Sequence, residues 1–264
     1  MQIFRHSKVV PLARQGSVVT IGNFDGVHRG HQAVIAAARH HAQRLELPLI
    51  AITFEPHPKA VLRPEFAPAR LTGCAEKCRQ LLACGVDGVY VLHFTRAYAR
   101  TTPEDFARHT LHQVLQTRQV VIGHDFGFGR DRSAGLRTLQ DLGAELGYGV
   151  ESVAAVAAGN GQVYSSTAVR EALAAGHVQT AAGLLGRPYE LCLTPQAGVR
   201  QQGLKLLKNG EYLVEIPYNA ERLQAYVTIV DGRLTALKTG LKPGLKTGPG
   251  PALPACRVPM YFIK

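Results

Sequence analysis

The chain has 264 residues, of which 46% are hydrophobic and 19% are charged. This composition provides enough apolar material for a buried core and excludes global disorder. Lysine and arginine outnumber aspartate and glutamate by 30 to 19, and the net charge of +11 favours anionic partners such as nucleotides. The length predicts a domain of about 150–200 residues followed by a smaller one.

The cysteines and the apolar segments bear on the cellular compartment. The five cysteines are odd in number and form no CxxC pair, which argues against a disulfide framework or a zinc knuckle. The first residues lack an apolar stretch of signal-peptide length, and no run of about 18 apolar residues occurs. We therefore expect a cytoplasmic protein that is neither exported nor embedded in a membrane.

Apolar, β-branched runs alternate with helix-favouring stretches through residues 17–156. They predict strands at 17–21, 48–54, 88–94, 119–123 and 150–156, and helices at 32–45, 75–84, 103–115 and 136–146. Two more helices are predicted at 167–175 and 178–185. This alternation indicates an α/β fold with a doubly wound, Rossmann-like parallel sheet. Because ligands bind beyond the carboxyl ends of such strands, the loops after Ile21, Phe54, Phe94 and Ile122 should converge on one edge.

The pattern changes from about Pro188. Short β-type runs, LKLL, EYLVEI, AYVTIV and TALK, are separated by Asn209-Gly210, Asn219-Ala220 and Asp231-Gly232. Such dipeptides between apolar runs are typical of hairpins, so we expect a small antiparallel sheet or barrel. The tract at 238–254, rich in Gly, Pro and Lys, is expected to be a basic loop. The predicted domains are therefore 1–189 and a smaller, mostly-β domain at 190–264.

The segment IGNFDGVHRGHQAVI at 21–35 is the strongest candidate for chemistry. Gly22 and Gly26 allow the backbone to approach a phosphate, and a helix starting near Arg29 would direct its N–H groups at an anion. His28 and His31 should be neighbours on one face of this solvated loop and helix start, where they can stabilise charge on a transferring phosphoryl group. An isolated HxxH could instead be a surface feature or a pair of zinc ligands.

The loop GNFDGVHRGH resembles that of the HxGH nucleotidyltransferases, specifically the bacterial FAD synthetase family, whose members are often fused to a riboflavin kinase. Four further segments resemble family motifs in the same order: TFEPHP at 53–58, RLTGCAEKCRQLLACGVD at 70–87, GHDFGFGRDRSAG at 123–135 and SSTAVREAL at 165–173. The resemblance covers about residues 15–190. It implies transfer of AMP from ATP to FMN, which gives FAD and pyrophosphate.

The resemblance also assigns roles to residues. It implies catalytic roles for His28, His31 and Arg170, and ATP binding by Gly22, Asn23, Phe24, Asp25, Gly26, Asp125, Ser166 and Thr167. Mg²⁺ would enter with ATP, and Asp125 or Asp25 could help to hold it, although the metal ligands are not identified by the motif. Asp25 could instead bond to its own loop, and Arg170 could be a solvated helix residue.

The flavin would lie against the TFEPHP loop, whose two prolines fix the backbone on either side of His57. The implied flavin-binding residues are Phe54, Pro56, His57, Pro58, Phe126 and Phe128, most of which offer apolar surface to an isoalloxazine ring. A proline-stiffened loop without any ligand is the alternative interpretation.

Residues 190–264 contain neither the glycine-rich segment nor the Pro-Thr-Ala-Asn motif of the family's kinase half. We therefore expect no riboflavin kinase activity, whether this part is an eroded kinase barrel or an unrelated β-domain. Two alternatives stay open: a different phosphorylated acceptor, or a non-catalytic binder of nucleotide or flavin whose basic tail docks on a protein partner or on nucleic acid. Nucleic acid is the less expected partner, because no recognisable nucleic-acid motif is present.

Overall fold

The structure is a computed structural model that describes residues 2–6, 9–130, 133–159, 161–193, 202–218, 221–239 and 258–264. It divides into two compact units. Unit 1 comprises Met1–Pro68 and Lys77–Gln162, and unit 2 comprises Ala69–Glu76 and Val163–Lys264. The predicted boundary after residue 189, which follows the sequence motifs, stays a prediction.

Unit 1 contains a six-stranded sheet in which every neighbouring pair is parallel. Its strands are β1 (Gln2–Arg5), β2 (Ser17–Ile21), β3 (Leu49–Glu55), β4 (Gly88–His93), β5 (Thr117–Gly123) and β6 (Gly149–Val153). Their order across the sheet is β1-β4-β3-β2-β5-β6. The predicted α/β class and parallel sheet are confirmed, whereas the edge strand β1 was not predicted.

The helices up to residue 146 are α1 (Arg29–Leu45), α2 (Pro58–Leu62), α3 (Cys74–Ala83), α4 (Pro103–Asp105), a π-helix (Phe106–Val114) and α5 (Leu136–Leu146). Short 3-10 turns occur at Pro11–Ala13, Pro64–Phe66 and Tyr98–Arg100. The helix predicted at 103–115 does begin at Pro103, where the Thr102 hydroxyl accepts from the Asp105 N–H at 3.1 Å. It then widens, and the Leu115 N–H donates to the Thr110 carbonyl five residues back, at 3.1 Å.

Burial of the central strands accounts for their apolar sequences. All five residues of β2 are buried, and so are the first five of β3 and of β4. A parallel sheet covered on both faces requires such continuous apolar runs. On α1, the buried residues are Val34, Ile35, Ala38 and Ala42, whose spacing of about four residues places them on one face.

The strand order also locates a ligand crevice. The chain leaves β2 toward β3 on one side, and it later adds β5 on the other side of β2. Ligands of open α/β sheets bind at such a switch point, outside the carboxyl ends of the strands. The loop after β2 therefore lies between the loops after β3 and β5, and these three carry most of the predicted site residues.

Unit 2 contains α6 (Ser166–Ala174), α7 (Val178–Leu185) and a five-stranded sheet. The strands are β7 (Tyr189–Leu193), β8 (Gly210–Tyr218), β9 (Glu221–Val230), β10 (Arg233–Thr239) and β11 (Val258–Phe262), in the order β10-β9-β8-β11-β7. The predicted smaller, antiparallel β part is confirmed. The LKLL run was wrongly predicted as a strand, because it lies in and just after a 3-10 helix at Gln202–Leu206, where Leu204, Leu206 and Leu207 are buried.

Two of the predicted turns can be followed in unit 2. Asp231 and Gly232 have φ angles of 49° and 70° and join β9 to β10, which confirms that hairpin. Asn209-Gly210 is not a hairpin turn: the Asn209 amide donates to Asp231 Oδ1 at 3.1 Å and accepts the Asp231 N–H at 2.8 Å. Asn219-Ala220 and residues 240–254 of the basic tract lie outside the described residues.

Across the described ranges, no helix combines the length and apolarity needed to cross a membrane.

Candidate active site

The loop between β2 and α1 has an unusual backbone. Phe24, Gly26 and Val27 have φ angles of 49°, 85° and 42°, in the left-handed region. This conformation costs glycine little, but it strains phenylalanine and especially the β-branched valine. Phe24 and Val27 are fully buried, so core packing holds the strained backbone in place. Strain that the surroundings maintain in this way clusters at ligand-binding sites.

Gly22 allows this loop to fold back on itself. A Cβ atom at position 22 would lie 3.1 Å from the tip of the Phe24 ring, closer than most side chains tolerate. The ring of Phe24 in turn meets His31 edge-on, with centroids 5.2 Å apart. The glycine therefore lets an aromatic residue buttress one of the two predicted catalytic histidines.

His28 and His31 are brought together at the start of α1. The His28 ring is the N-cap of the helix, and its Nδ1 accepts the His31 N–H at 3.4 Å. The two imidazole rings stack with centroids 3.6 Å apart and planes 25° apart. The expectation of a solvated loop is wrong for His28, which is only 6% exposed, because capping and stacking hold its ring against the helix.

This arrangement fixes the chemistry that the pair can perform. Because Nδ1 of His28 is an acceptor, the neutral ring carries its proton on Nε2, which can donate to an anionic oxygen. The first N–H groups of α1 lie at the positive end of the helix dipole and have no acceptor within the helix. Two imidazoles and a helix N-terminus form a donor set suited to charge that develops on phosphate oxygens.

Asn23 and Asp25 occupy different environments within the same loop. Asp25 is buried. The carbonyl of Asn23 accepts from the Thr53 hydroxyl at 3.1 Å and from the Lys77 ammonium at 3.2 Å. Lys77 also donates to the carbonyl of Phe54 at 3.3 Å. Sequence reasoning missed Lys77, although its position on the apolar face of α3, one turn before the buried Leu81, was an available signal.

The predicted flavin residues lie at the end of β3 and in the loop after it, and some are exposed whereas others support the loop. Phe54 is half-buried and meets Phe94 edge-on, with centroids 5.8 Å apart. Pro56 is exposed, follows a cis peptide bond, and leads into α2 through Pro58. His57 caps α2, because its Nδ1 accepts the Lys59 N–H at 3.1 Å. The loop thus has internal support and still presents apolar surface.

The loop after β5 holds Asp125, Phe126 and Phe128. Asp125 is exposed, whereas Phe126 is half-buried. Phe128 is only 8% exposed and packs against Phe106 in the core of unit 1, with centroids 5.8 Å apart. Phe126 stacks on Phe128 at 5.5 Å. Phe126 therefore has the more accessible ring of the two predicted flavin contacts.

The remaining predicted residues belong to unit 2. Ser165 is the N-cap of α6 and accepts the Ala168 N–H at 3.1 Å, so Ser166 and Thr167 occupy its first turn. Arg170 is half-buried, and its Nε donates to the carbonyl of Ala69 at 2.7 Å. This bond holds the Arg170 guanidinium group through its Nε.

A zinc site at the histidine pair finds no support in the part of the chain that the structure describes. No group of three or more His, Cys, Asp or Glu side chains with metal-binding geometry occurs there. Among the same residues, Cys74, Cys78, Cys84 and Cys192 form no disulfide bond. The pair His28 and His31 alone provides too few ligands for a structural zinc ion.

Several known proteins are similar in sequence. A bifunctional riboflavin kinase/FMN adenylyltransferase of Escherichia coli (strain K12) is 39% identical over 178 residues, which are 67% of this chain and 56% of that protein. The protein of the same name from Pseudomonas fluorescens is 36% identical and covers 84% of this chain and 75% of its own. A FAD synthetase of Listeria monocytogenes is 33% identical and covers 88% and 90%, respectively. The chain thus spans about half the length of the Escherichia coli relative.

A solved structure is similar in fold. It is described as a macrolide-efflux protein from Streptococcus pneumoniae, and it superposes with a TM-score of 0.79 over 99% of this chain and 90% of that chain. At 24% sequence identity, the likeness concerns the fold alone.

The family model described as FAD synthetase matches residues 10–168, more than half of the chain. This range contains the sheet of unit 1, apart from β1, and the loop with the stacked histidines. Together with the relatives, the match shows that the chain belongs to the FAD synthetase family.

Proposed function

We propose that the protein transfers AMP from ATP to FMN, giving FAD and pyrophosphate. The observation that carries the proposal is the stacked pair of His28 and His31 at the N-terminus of α1. The pair lies at the switch point of the sheet, where this fold binds ligands. The names of the relatives, FMN adenylyltransferase and FAD synthetase, agree with this reaction.

In the proposed reaction, a phosphate oxygen of FMN attacks the α-phosphorus of ATP. A new phosphorus–oxygen bond forms, the bond from the α-phosphorus to the oxygen bridging to the β-phosphorus breaks, and pyrophosphate leaves with that electron pair. Negative charge accumulates on the leaving group and on the oxygens of the α-phosphorus. His28, His31 and the first N–H groups of α1 stabilise this charge by donating hydrogen bonds, without a covalent intermediate.

For unit 1, we propose that the loop after β2, residues 22–26, and Asp125 bind ATP; for Ser166, Thr167 and Arg170 of unit 2, we propose the ATP contacts that the family motif implies. Left-handed backbone at Phe24 and Gly26 shapes the loop that would approach the triphosphate. For Arg170 we propose that its terminal nitrogens bind the β- and γ-phosphates, while its Nε is held by Ala69. Ser166 and Thr167 would add hydroxyl and backbone donors from the first turn of α6.

Mg²⁺ is expected to enter with ATP. The described residues offer no ready-made cluster of three ligands, which fits an ion that takes most of its ligands from phosphates and water. Asp125, exposed at the carboxyl end of β5, is the residue best suited to add a carboxylate oxygen. When bound, Mg²⁺ would neutralise part of the triphosphate charge and thereby assist departure of the pyrophosphate.

The flavin site proposed here uses Phe54, Pro56, Pro58 and Phe126 as apolar surface for the isoalloxazine ring. His57 and Phe128 would act indirectly, since His57 caps α2 and Phe128 supports Phe126 from the core. Such apolar walls bind a flat ring through area and shape, with few polar contacts.

A panel of phosphorylated acceptors tests the substrate assignment. Purified protein with ATP and Mg²⁺ should release pyrophosphate rapidly with FMN, and at background rates with phosphorylated sugars or other mononucleotides. Pyrophosphate release with another acceptor and none with FMN would keep the transferase and reject the acceptor. Flavin or nucleotide binding with no pyrophosphate under any condition would instead indicate a non-catalytic binder.

We also propose that this chain does not phosphorylate riboflavin, because residues 190–264 lack the kinase motif. The Listeria relative, of which the chain covers 90%, is named for FAD synthesis alone. Incubation with riboflavin and Mg-ATP should therefore give no FMN, while FMN supplied to the same sample should be converted. Formation of FMN from riboflavin would refute this part of the proposal.

A further inference from the structure

Lys77 has an environment unusual for lysine. It lies on α3 with a side chain that is only 3% exposed, beside the buried Cys78, Gln80 and Leu81. A buried ammonium group is costly unless it is hydrogen-bonded, and lysine is seldom found in such positions. A methionine or leucine would fill a similar volume without that cost. Packing alone therefore does not account for a lysine at this position.

The ammonium joins two loops of the proposed site. It donates to the carbonyl of Asn23, in the loop after β2, at 3.2 Å, and to the carbonyl of Phe54, near the end of β3, at 3.3 Å. The Thr53 hydroxyl donates to the same Asn23 carbonyl at 3.1 Å. One loop belongs to the proposed ATP site, and the other begins the proposed flavin site. The ammonium therefore links the two loops directly.

We propose that Lys77 is a positioning residue that holds the ATP loop and the flavin loop at the separation required for transfer. This inference rests on the proposed function. The FMN phosphate must approach the α-phosphorus along one line, and a displacement of about 1 Å can slow such a reaction by about 10²-fold. The ammonium does not touch the reacting atoms; its effect passes through the two carbonyls that it holds.

Lys77→Met is the direct test, because it retains the apolar stem and removes the ammonium. We expect kcat for FAD formation to fall about 10-fold to 100-fold, while the KM values for ATP and FMN change by less than about threefold. A residue needed only for folding would lower the melting temperature and leave kcat per folded molecule unchanged. Wild-type kcat in Lys77→Met would overturn the inference.

Gln80→Met is the matched control. Gln80 lies on the same helix, is 5% exposed, and loses a polar head of similar size in the substitution. It contacts neither Asn23 nor Phe54 through any hydrogen bond found among the described residues. We expect near-normal kcat in Gln80→Met. An equal loss in both variants would mean that α3 packing, and not the ammonium, determines the rate.

Thr53→Val keeps the inference testable if Lys77→Met fails to fold. It removes the hydroxyl from the same Asn23 carbonyl with little change of shape, so kcat should fall about threefold to tenfold. Where Lys77→Met does fold, the Thr53 and Lys77 effects in a double-mutant cycle should be non-additive, because they act on one acceptor. Additive effects, or an unchanged rate in Thr53→Val, would contradict a shared positioning role.

Hydrogen exchange tests the positioning role of Lys77 independently of FAD formation. In Lys77→Met, the amides of residues 22–28, of residues 53–55 and of His57 should exchange faster than in the wild type and in Gln80→Met. Failure of the wild type to form FAD would reject the proposed function, and exchange would still test the positioning role. Unchanged exchange in both loops would reject Lys77 as their link, whatever the acceptor.

Discussion

At the scale of single residues, His28 shows how one side chain can serve both the fold and the reaction. Its Nδ1 caps α1, and its ring stacks on His31 at 3.6 Å. Substitution by alanine would therefore remove a cap and a donor together, and a lost activity could be mistaken for a lost fold. The structure suggests how to separate the two roles.

His28→Asn should retain the cap and lose the imidazole, because asparagine is a favoured N-cap residue. We expect kcat to fall about 10²-fold to 10³-fold in both His28→Asn and His28→Ala, since both remove the donor at the developing charge. The asparagine variant should be more stable than the alanine variant by about 1 kcal/mol in urea unfolding. Near-normal kcat in His28→Asn would mean that only the cap matters.

Tyr148 gives a prediction about alkaline stability. Burial raises its pKa from 10.0 to about 12, and its hydroxyl finds no hydrogen-bond partner among the described residues. The unfolded chain releases this proton near pH 10, before the folded state does, so stability is complete below about pH 10 and falls as pH rises toward 12.

Tyr148→Phe removes both the titration and the buried hydroxyl. The variant should be more stable at neutral pH by up to about 1 kcal/mol, because no bond is lost with the hydroxyl. Its unfolding free energy should also fall less than that of the wild type between about pH 8 and pH 11. An identical alkaline loss in both proteins would show that Tyr148 does not contribute.

At the scale of elements, sequence predicted most strands of both sheets, including the edge strands β6 and β10, but missed β1, β7 and β11. Continuous apolar runs identified β2, β3 and β4, because a sheet covered on both faces demands them. β1 escaped prediction because QIFR has no such run and lies at the edge of the sheet beside β4. β7 and β11 are defined by pairing with each other across many residues of sequence, which no local pattern reports.

The candidate site, like the strands, was predicted in part from the sequence. The HxGH loop and the helix after it could be located from glycines and histidines, and the helix start expected near Arg29 is the observed start of α1, with His28 as its N-cap. The Lys77 bridge could not be derived, because it depends on tertiary contact between α3 and two loops.

The hairpin turn at Gly232 offers a test in unit 2. Gly232 has a φ of 70°, and an added Cβ would lie 2.8 Å from Lys205 Cγ and 3.2 Å from Lys205 Cα. Gly232→Ala should therefore lower the free energy of unfolding by about 1–2 kcal/mol. We expect no direct effect on FAD formation by the folded fraction. Unchanged stability would mean that the turn can relax around a methyl group.

At the scale of the whole molecule, the two units have separate cores, and the core of unit 2 crosses the predicted boundary at residue 189. The apolar faces of α6 and α7 share this core with the antiparallel sheet, through residues that include Val169, Leu173, Val214 and Ile229. The helices therefore depend on the strands that follow them.

Truncation after Tyr189 should expose that shared core. The fragment Met1–Tyr189 should bind a hydrophobic dye strongly and unfold at a lower temperature than the full chain, because α6 and α7 lose the surface that buries them. Calorimetry and dye fluorescence on both proteins provide the measurement. A fragment as stable as the full chain, with no dye binding, would show that the helices fold without the sheet.

The fate of each ATP phosphate tests the central claim most directly. Radioactive phosphorus at the α position should appear in FAD, and label at the γ position should appear in pyrophosphate, in equal amounts and only when FMN is present. Both products should fall together in His28→Asn. Label from the γ position in a flavin product, or release of inorganic phosphate without FAD, would contradict adenylyl transfer at the histidine pair.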